Sequence, residues 1–488
     1  MPGFVNGSTT AVLLAPQRVR PQEGTETAER FTRSATTDGR FMSTSDCLAW
    51  LAERRAVHGF QVSRIPFDRL AGWSFDPATG NLGHRSGRFF TVEGLRVRME
   101  PAPVERWAQP IIVQLEIGIL GILVKELDGV LHCLMQAKME PGNSNVVQLS
   151  PTVQATRSNY TRIHQGRPTP YLEYFLAPRR GRVLADSLQS EQGGWFLHKR
   201  NRNIVVETED DVDVLDDYCW LTVAQIQELL CLDNVVNMDA RTVLSSMPFA
   251  AVQRPASDDG FGAALRRSLR PEAGAMHTGT EVISWLTENK TRYELAQDRI
   301  ALNEVTGWRR TDADIAHDSG EFFRVVAVDV RAASREVTSW SQPLIAPVSH
   351  GLLALLTRRV DGVLHVLAQA RPAAGAIDIV EVAPTVHCMP HTHRDTEPAR
   401  RPRFLDYVRD ADPLRIRYQA WLSEEGGRFW HAKNHYLVVE VDDDFPADVP
   451  DGYRWLTVHQ LMVLLRAGNC LNVEARSLLA CLETWIGR

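Results

Sequence analysis

The sequence predicts an α+β protein made of one unit used twice, each copy a mixed or antiparallel sheet packed with helices. Three observations carry this: a long internal repeat held in one register, period-two alternation in the middle of each copy, and helix-capping signals at matching places. Asp128-Gly129-Val130-Leu131-His132 returns 233 residues later as Asp361-Gly362-Val363-Leu364-His365. At the same shift Gln136-Ala137-Lys138 meets Gln369-Ala370-Arg371, and Pro151-Thr152-Val153 meets Pro384-Thr385-Val386. Ser190-Glu191, Gly193-Gly194, Phe196, His198 and Asn201 meet Ser423-Glu424, Gly426-Gly427, Phe429, His431 and Asn434. After two inserted residues, Trp220-Leu221-Thr222-Val223 matches Trp455-Leu456-Thr457-Val458. A register kept across so many rare residues is the mark of duplication.

Residues 1–40, rich in Thr, Ser, Gly, Arg and Glu, read as a mobile tail. The first repeat then spans 41–250, a polar linker with room for one short helix spans 251–278, and the second repeat spans 279–488. Ser45-Asp46 caps a helix carrying Leu48, Leu51 and Ala52 and ended by Gly59. Thr222 caps a helix over 223–230, and Thr457 does the same in the second repeat.

Between these helices the alternation predicts strands. Over 131–138 one face carries His132, Leu134, Gln136 and Lys138, and the second repeat offers His365, Gln369 and Arg371. Over 147–160 Gln148, Ser150, Thr152, Gln154, Thr156, Ser158 and Tyr160 alternate with Val147, Leu149, Pro151, Val153 and Ala155. A third stretch alternates Phe196, His198, Arg200 and Arg202 with Leu197, Lys199, Asn201 and Asn203. Amides and hydroxyls suit sugar oxygens, and Lys and Arg suit phosphate. A solvated outer sheet face alternates in the same way, although Lys and Glu usually dominate there.

Bulk numbers narrow the function. With 44% hydrophobic and 23% charged residues the 488-residue chain has ordinary globular composition. A net charge of -6 disfavours nucleic acid as a partner. The longest apolar run, 111–124, contains Gln114 and Glu116 and reads as strand, so no membrane span is expected. The N-terminus has no signal-peptide pattern, and seven cysteines without a CxxC pair point to reduced thiols and a cytoplasmic address. No P-loop, Rossmann fingerprint, HExxH or GxSxG motif stands at a credible position, which disfavours an ATPase, a nicotinamide enzyme and a serine hydrolase. His387, Cys388, His391 and His393 resemble metal ligands only superficially, because Pro390 breaks the spacing and Gln154 stands opposite His387. Trp73 and Trp308, each after a glycine, are candidates to stack on a nucleobase, as are Trp107 and Trp340.

Two blocks are specific enough to carry a resemblance. Gln136-Ala137-Lys138-Met139-Glu140-Pro141-Gly142-Asn143, with the run from Gln148 to Tyr160, resembles a signature of the NDP-hexose 2,3-dehydratases. Ser190-Glu191-Gln192-Gly193-Gly194, followed by Lys199-Arg200-Asn201-Arg202-Asn203, is similar to a second block of that family. The resemblance covers about 41–488. It implies two repeats related to the Nudix fold, and a dTDP-4-keto-6-deoxyglucose substrate in antibiotic deoxysugar biosynthesis. Neither repeat carries a Nudix box, so metal-dependent diphosphate cleavage is not expected. The chemistry implied is cofactor-free: a base removes the C3 proton, acidified by the C4 ketone, and the C2 hydroxyl leaves with help from an acid. The product is a 3,4-diketo-2,6-dideoxy sugar nucleotide.

For proton transfer the residues offer Tyr160, His164, His132, Lys138 and Lys199. For substrate binding they offer Trp73, Gln136, Thr152, Gln154, Thr156, Arg157, Ser158, Asn159, Ser190, Arg200, Asn201 and Arg202. Trp308, Arg371, Thr385, His387, His431 and Asn434 are the second repeat's contribution. The first repeat holds the fuller hydroxyl and guanidinium set, which favours it as the catalytic half. A homodimer is expected, and a labile diketone implies hand-over to a 3-ketoreductase or aminotransferase. Two other readings stay open: a non-catalytic nucleotide-sugar binding protein, and a metal-dependent NDP-sugar hydrolase.

Overall fold

The computed structural model describes residues 21–156, 169–178, 180–250, 260–271, 274–332 and 338–487. Each repeat contributes a seven-stranded mixed sheet. In the first, the order is Arg182–Ser190, Arg200–Glu207, Gly118–Leu127, Val130–Met139, Tyr218–Thr222, with Val147–Ser150 beside Val130–Met139 and Val153–Ala155 beside Gly118–Leu127. The second runs Ile416–Ser423, Lys433–Glu440, Gly351–Val360, Val363–Pro372, with Tyr453–Thr457 and Val380–Ala383 on Val363–Pro372 and Val386–Cys388 on Gly351–Val360. One neighbouring pair in each is parallel, Asn201 meeting Gly118 and Asn434 meeting Gly351.

The helices form where capping chemistry starts them. Ser43, two residues before the position read from sequence, caps Thr44–His58 in a capping box with Asp46, and Gly59 ends it at φ 54°. Thr222 and Thr457 cap Val223–Leu230 and Val458–Ala467, each with a glutamine three residues on. Ile226, Leu229 and Leu230 enter the first core beside Cys133, Met135 and Val205, and Leu461, Leu464 and Leu465 do the same in the second. Among the described residues no helix is long and apolar enough to cross a membrane.

Part of the segment expected to be a mobile tail is a helix, Pro21–Ser34. Its polar composition hides a spacing of Ala28, Phe31 and Ala35 that buries one face. Ser34 donates to the carbonyl of Leu131 and accepts from Val223 N–H. The short helix expected in the linker, Phe261–Ser268, is its counterpart: Ser268 donates to Leu364 and accepts from Val458.

Two smaller sheets interlock the repeats. Thr91–Glu100 pairs with Arg106–Val113 of its own repeat but also with Glu294–Ile300 from the second. Reciprocally, Gln61–Ile65 pairs with Phe323–Arg331 of the second repeat. Each repeat therefore lends its first strand to the other. Two fully buried arginines add a matching clasp. Arg241 donates to the carbonyl of Ser423, and Arg476 donates to that of Ser190, both at 2.6 Å.

Two expected strands are broken. The run from Gln148 divides at Pro151-Thr152, where Thr152 inserts between the central strands, donating to Leu134 and accepting from Leu123 N–H. The run from Phe196 kinks at His198, φ 52°, so Phe196–Leu197 joins the small sheet and Arg200–Glu207 the large one.

Candidate active site

A cleft of about 900 Å³ opens between the first repeat's large sheet and the small sheets. Both repeats line it. The first supplies Trp73, His84, Phe89, Phe90, Glu116, Lys138, Glu140, Gln154, Thr156, Glu191, Lys199, Asn201 and Asp239, and the second supplies Trp340, Gln342, Glu425, Gly427 and Arg428. One end is aromatic: Trp73 lies 4.9 Å from Phe90 and 5.4 Å from His84, between ring centroids, and Trp73 Nε1 donates to Ser341 O.

The other end is ionic and buried. Glu140 accepts from the side-chain amides of Asn143, Gln154 and Asn237. Glu191 accepts from Asn201, whose own oxygen accepts from Gly118 N–H. Burial raises the carboxyls of Glu191 and Asp239, Asp239 well above the usual range, with neighbouring carboxylates adding to the latter. Glu425 is pushed up to about 8, first by burial and then by Glu140 and Glu191, against Arg428 and Lys199. Lys199 is lowered, mainly by burial, with Glu191 opposing and Arg428 assisting; its Nζ donates to Glu116 O. Arg428 donates to Gln114 and lies over the Phe90 ring at 4.4 Å. Lys138 donates to Gln154 O.

The kink at His198 decides which cations reach the cleft. It turns Lys199 and Asn201 inward, whereas Arg202 is paired with Asp186 on the other side and Arg200 is not part of the lining. Arg200 and Arg202, the candidates for the diphosphate, are thus not among the residues that line this cleft. His132 is also misplaced: 1% exposed, it lies six residues from Lys138 along one strand, roughly 20 Å at the usual rise. Its Nδ1 meets Val130 O and its ring sits edge-on to Phe41. Thr152 and Thr385 replace ladder hydrogen bonds inside the sheets and are fully buried, so they stabilise the fold rather than contact a ligand. Ser190 is buried with its carbonyl held by Arg476, and Gln136 is outside the lining.

Trp308, Arg371, His387, His431 and Asn434 lie at matching positions in the second repeat and are not among the residues that line this cleft. Trp308 donates to Ala108 O, His431 stacks on Trp430, and Asn434 holds Glu424. Burial and the Arg371 charge keep His387 well below the ordinary histidine range, so it is neutral. Among the described residues no group of three or more His, Cys, Asp or Glu side chains is placed to hold a metal ion. Tyr160, His164, Arg157, Ser158 and Asn159 lie outside the described residues.

Glu116, Glu140, Glu191, Asp239, Glu425 and Arg428 were missed as site residues. A signal for most of them was present in the repeat. At the 233-residue shift Glu140 becomes Ala373, Lys199 becomes Ala432 and Glu116 becomes Ser349, while Glu425 and Arg428 answer to Gln192 and Trp195. At each of these positions the charge stands in one repeat and is missing from its twin.

A family model described as NDP-hexose 2,3-dehydratase matches the chain twice, over residues 44–247 and 279–482. The chain is 52% identical over 466 residues to a Saccharopolyspora spinosa protein named dTDP-4-dehydro-6-deoxy-alpha-D-glucopyranose 2,3-dehydratase, covering 94% of this chain and 96% of the relative. Proteins of the same name from Amycolatopsis orientalis and Streptomyces violaceoruber are 48% and 49% identical. The shared stretches cover 99% and 91% of this chain, and 98% of each relative.

Proposed function

The chain belongs to the NDP-hexose 2,3-dehydratase family, and from that premise we propose that the composite cleft of the first repeat is where it acts. The protein is a hydro-lyase: it removes C3–H and the C2 hydroxyl of dTDP-4-keto-6-deoxyglucose, giving the 3,4-diketo-2,6-dideoxy sugar nucleotide. One observation carries the choice of cleft. The ionisable set Glu116, Glu140, Lys199, Glu425 and Arg428 converges there, and every one of these is replaced by an uncharged residue at its twin position.

Lys199 takes the C3 proton. Burial disfavours its ammonium form, which gives the amine more of the character of a base. Lys138 and Arg428 face the oxygen that becomes an enolate and the diphosphate, where fixed cations are most effective away from water. Trp73, His84, Phe89 and Phe90 form the end that takes the thymine ring, and Gln154, Thr156 and Asn201 bond sugar oxygens. The Nudix-like ancestry of each repeat belongs to the same reading, supported by a mixed sheet with capped helices packed on it. So do the homodimer and the hand-over of the labile diketone to a reductase or aminotransferase.

The test compares Lys199→Met with His387→Gln, which gives the second repeat the amide present in the first. Incubation with substrate and a 3-ketoreductase trap in heavy water reports water loss and deuterium entering C2. Lys199→Met should lower turnover by about 10²–10⁴-fold, and His387→Gln should leave it within about threefold. Equal losses from both would overturn the one-cleft reading.

A further inference from the structure

We propose that Glu425, a side chain of the second repeat, delivers the proton to the departing C2 hydroxyl in the cleft of the first repeat. The inference rests on the reaction being assigned to that cleft. Five carboxyl groups line it among the described residues, and their surroundings separate them. Both oxygens of Glu140 accept from amide donors. Glu191 accepts from Asn201 and is 4% exposed, Asp239 is 3% exposed, and Glu116 accepts from Gln114. Glu425 lines the cleft and is only partly buried, where Glu191 and Asp239 are closed off; its Oε2, like Glu191 Oε2 and Asp239 Oδ1, is buried with no hydrogen-bond partner among the described residues. A carboxyl in that setting holds its proton at neutral pH, and burial pushes it up to about 8.

The twin position supports the same assignment. Gln192 stands where Glu425 would be in the second repeat's version of the site, and its amide donates to Glu424. An amide keeps the shape and has no proton to give. The reciprocal loops explain why the acid crosses between repeats: Gly142 N–H donates to Gly426 O and His431 N–H to Gly142 O, which sets residue 425 beside Glu140.

The electron balance is closed without a co-reactant. The base takes H⁺ from C3, and the pair left behind forms the enolate with the C4 carbonyl. That pair then makes the C2–C3 double bond as C2–O breaks. The leaving oxygen takes the Glu425 proton and departs as water. The C3 enol relaxes by protonation at C2 with loss of its O3 proton, and the proton held by the base passes through solvent to the Glu425 carboxylate, which resets both groups.

The test uses Glu425→Gln with two substrates in heavy water: the natural one, and an analogue carrying fluorine in place of the C2 hydroxyl. Fluoride leaves without a proton. The variant should lose water elimination by about 100-fold or more, still exchange the C3 proton, and release fluoride within about tenfold of wild type. Loss of both leaving groups alike would overturn the proposal, since only a binding or structural role predicts it. Unchanged water loss would overturn it too. If Lys199→Met is inactive in that case, only the role of Glu425 fails; if both variants are active, the cleft assignment fails. Should Glu425→Gln not fold, Glu425→Asp keeps an acid with shorter reach: water loss impaired with fluoride release intact supports the proposal, and equal impairment overturns it.

Discussion

A glutamic acid that must hold a proton leaves a mark on pH dependence. Arg428, Lys199, Glu140 and Glu191 all face Glu425, and burial outweighs the two cations to place it at about 8. The acid form is then present below that value and lost above it. Turnover of the natural substrate should fall as pH rises past about 8, tenfold per unit, while fluoride release from the 2-fluoro analogue should lack that limb. A rate measured from pH 6 to 10 with both substrates checks it, and a limb shared by both would exclude Glu425 as its source. The stability effect has a definite sign. A folded-state value above the unfolded one means the folded protein binds more protons between about 4.5 and about 8, so this group's contribution is present at low pH and lost as pH climbs through that window. Glu425→Gln should therefore flatten the drop in melting temperature from pH 6 to pH 9.

At the level of elements, two loops meet at glycines that have no room for a side chain. A Cβ on Gly142 would lie 1.7 Å from Phe429 O, and one on Gly375, its twin, 2.0 Å from Phe196 O. Gly142→Ala must push apart the loops that place Glu140 and Glu425. Such overpacking costs at least about 1–3 kcal/mol, several degrees in melting temperature, and turnover should fall with it. Gly194→Ala, with open space around its Cβ, should change neither by thermal melt or by assay; equal effects would show that the loop contact is unimportant. The strands around these loops were partly legible in sequence. Period-two alternation correctly located Val130–Met139, but a polar residue on a strand did not by itself mean a ligand face: Lys138 lines the cleft, whereas His132, and Thr152 between two later strands, serve the sheet itself. Nor could alternation reveal the turn at His198, since a single positive φ in a non-glycine residue leaves no pattern. That one turn exchanged Arg200 and Arg202 for Lys199 and Asn201 at the cleft. Glu425 differs from its twin Gln192 in sequence, but that difference did not say which cleft the side chain enters, because it lines the first repeat's cleft through contacts between repeats.

For the whole molecule, duplication was readable because one register held through many rare residues, whereas the exchange of first strands was not. A strand that pairs with its own repeat and one that pairs with the other have the same alternation. The consequence is that neither repeat completes its small sheet alone: Gln61–Ile65 needs Phe323–Arg331, and Glu294–Ile300 needs Thr91–Glu100. Arg241 and Arg476 would lose the carbonyls of Ser423 and Ser190 if the repeats separated. Separation would also expose Val326, Val328, Val330 and Leu344 of the second repeat, which pack into the first repeat's core, and losing that apolar burial is strongly destabilising. Chains cut between residues 250 and 260 should therefore be poorly folded when made singly. Made together, they should associate as a stable one-to-one complex that recovers turnover, because the cleft takes Lys199 from one fragment and Glu425 from the other. Size-exclusion chromatography with the dehydration assay checks this. Turnover by the first fragment alone would show that the second repeat's acid is dispensable, and would remove the physical reason for keeping the two copies on one chain.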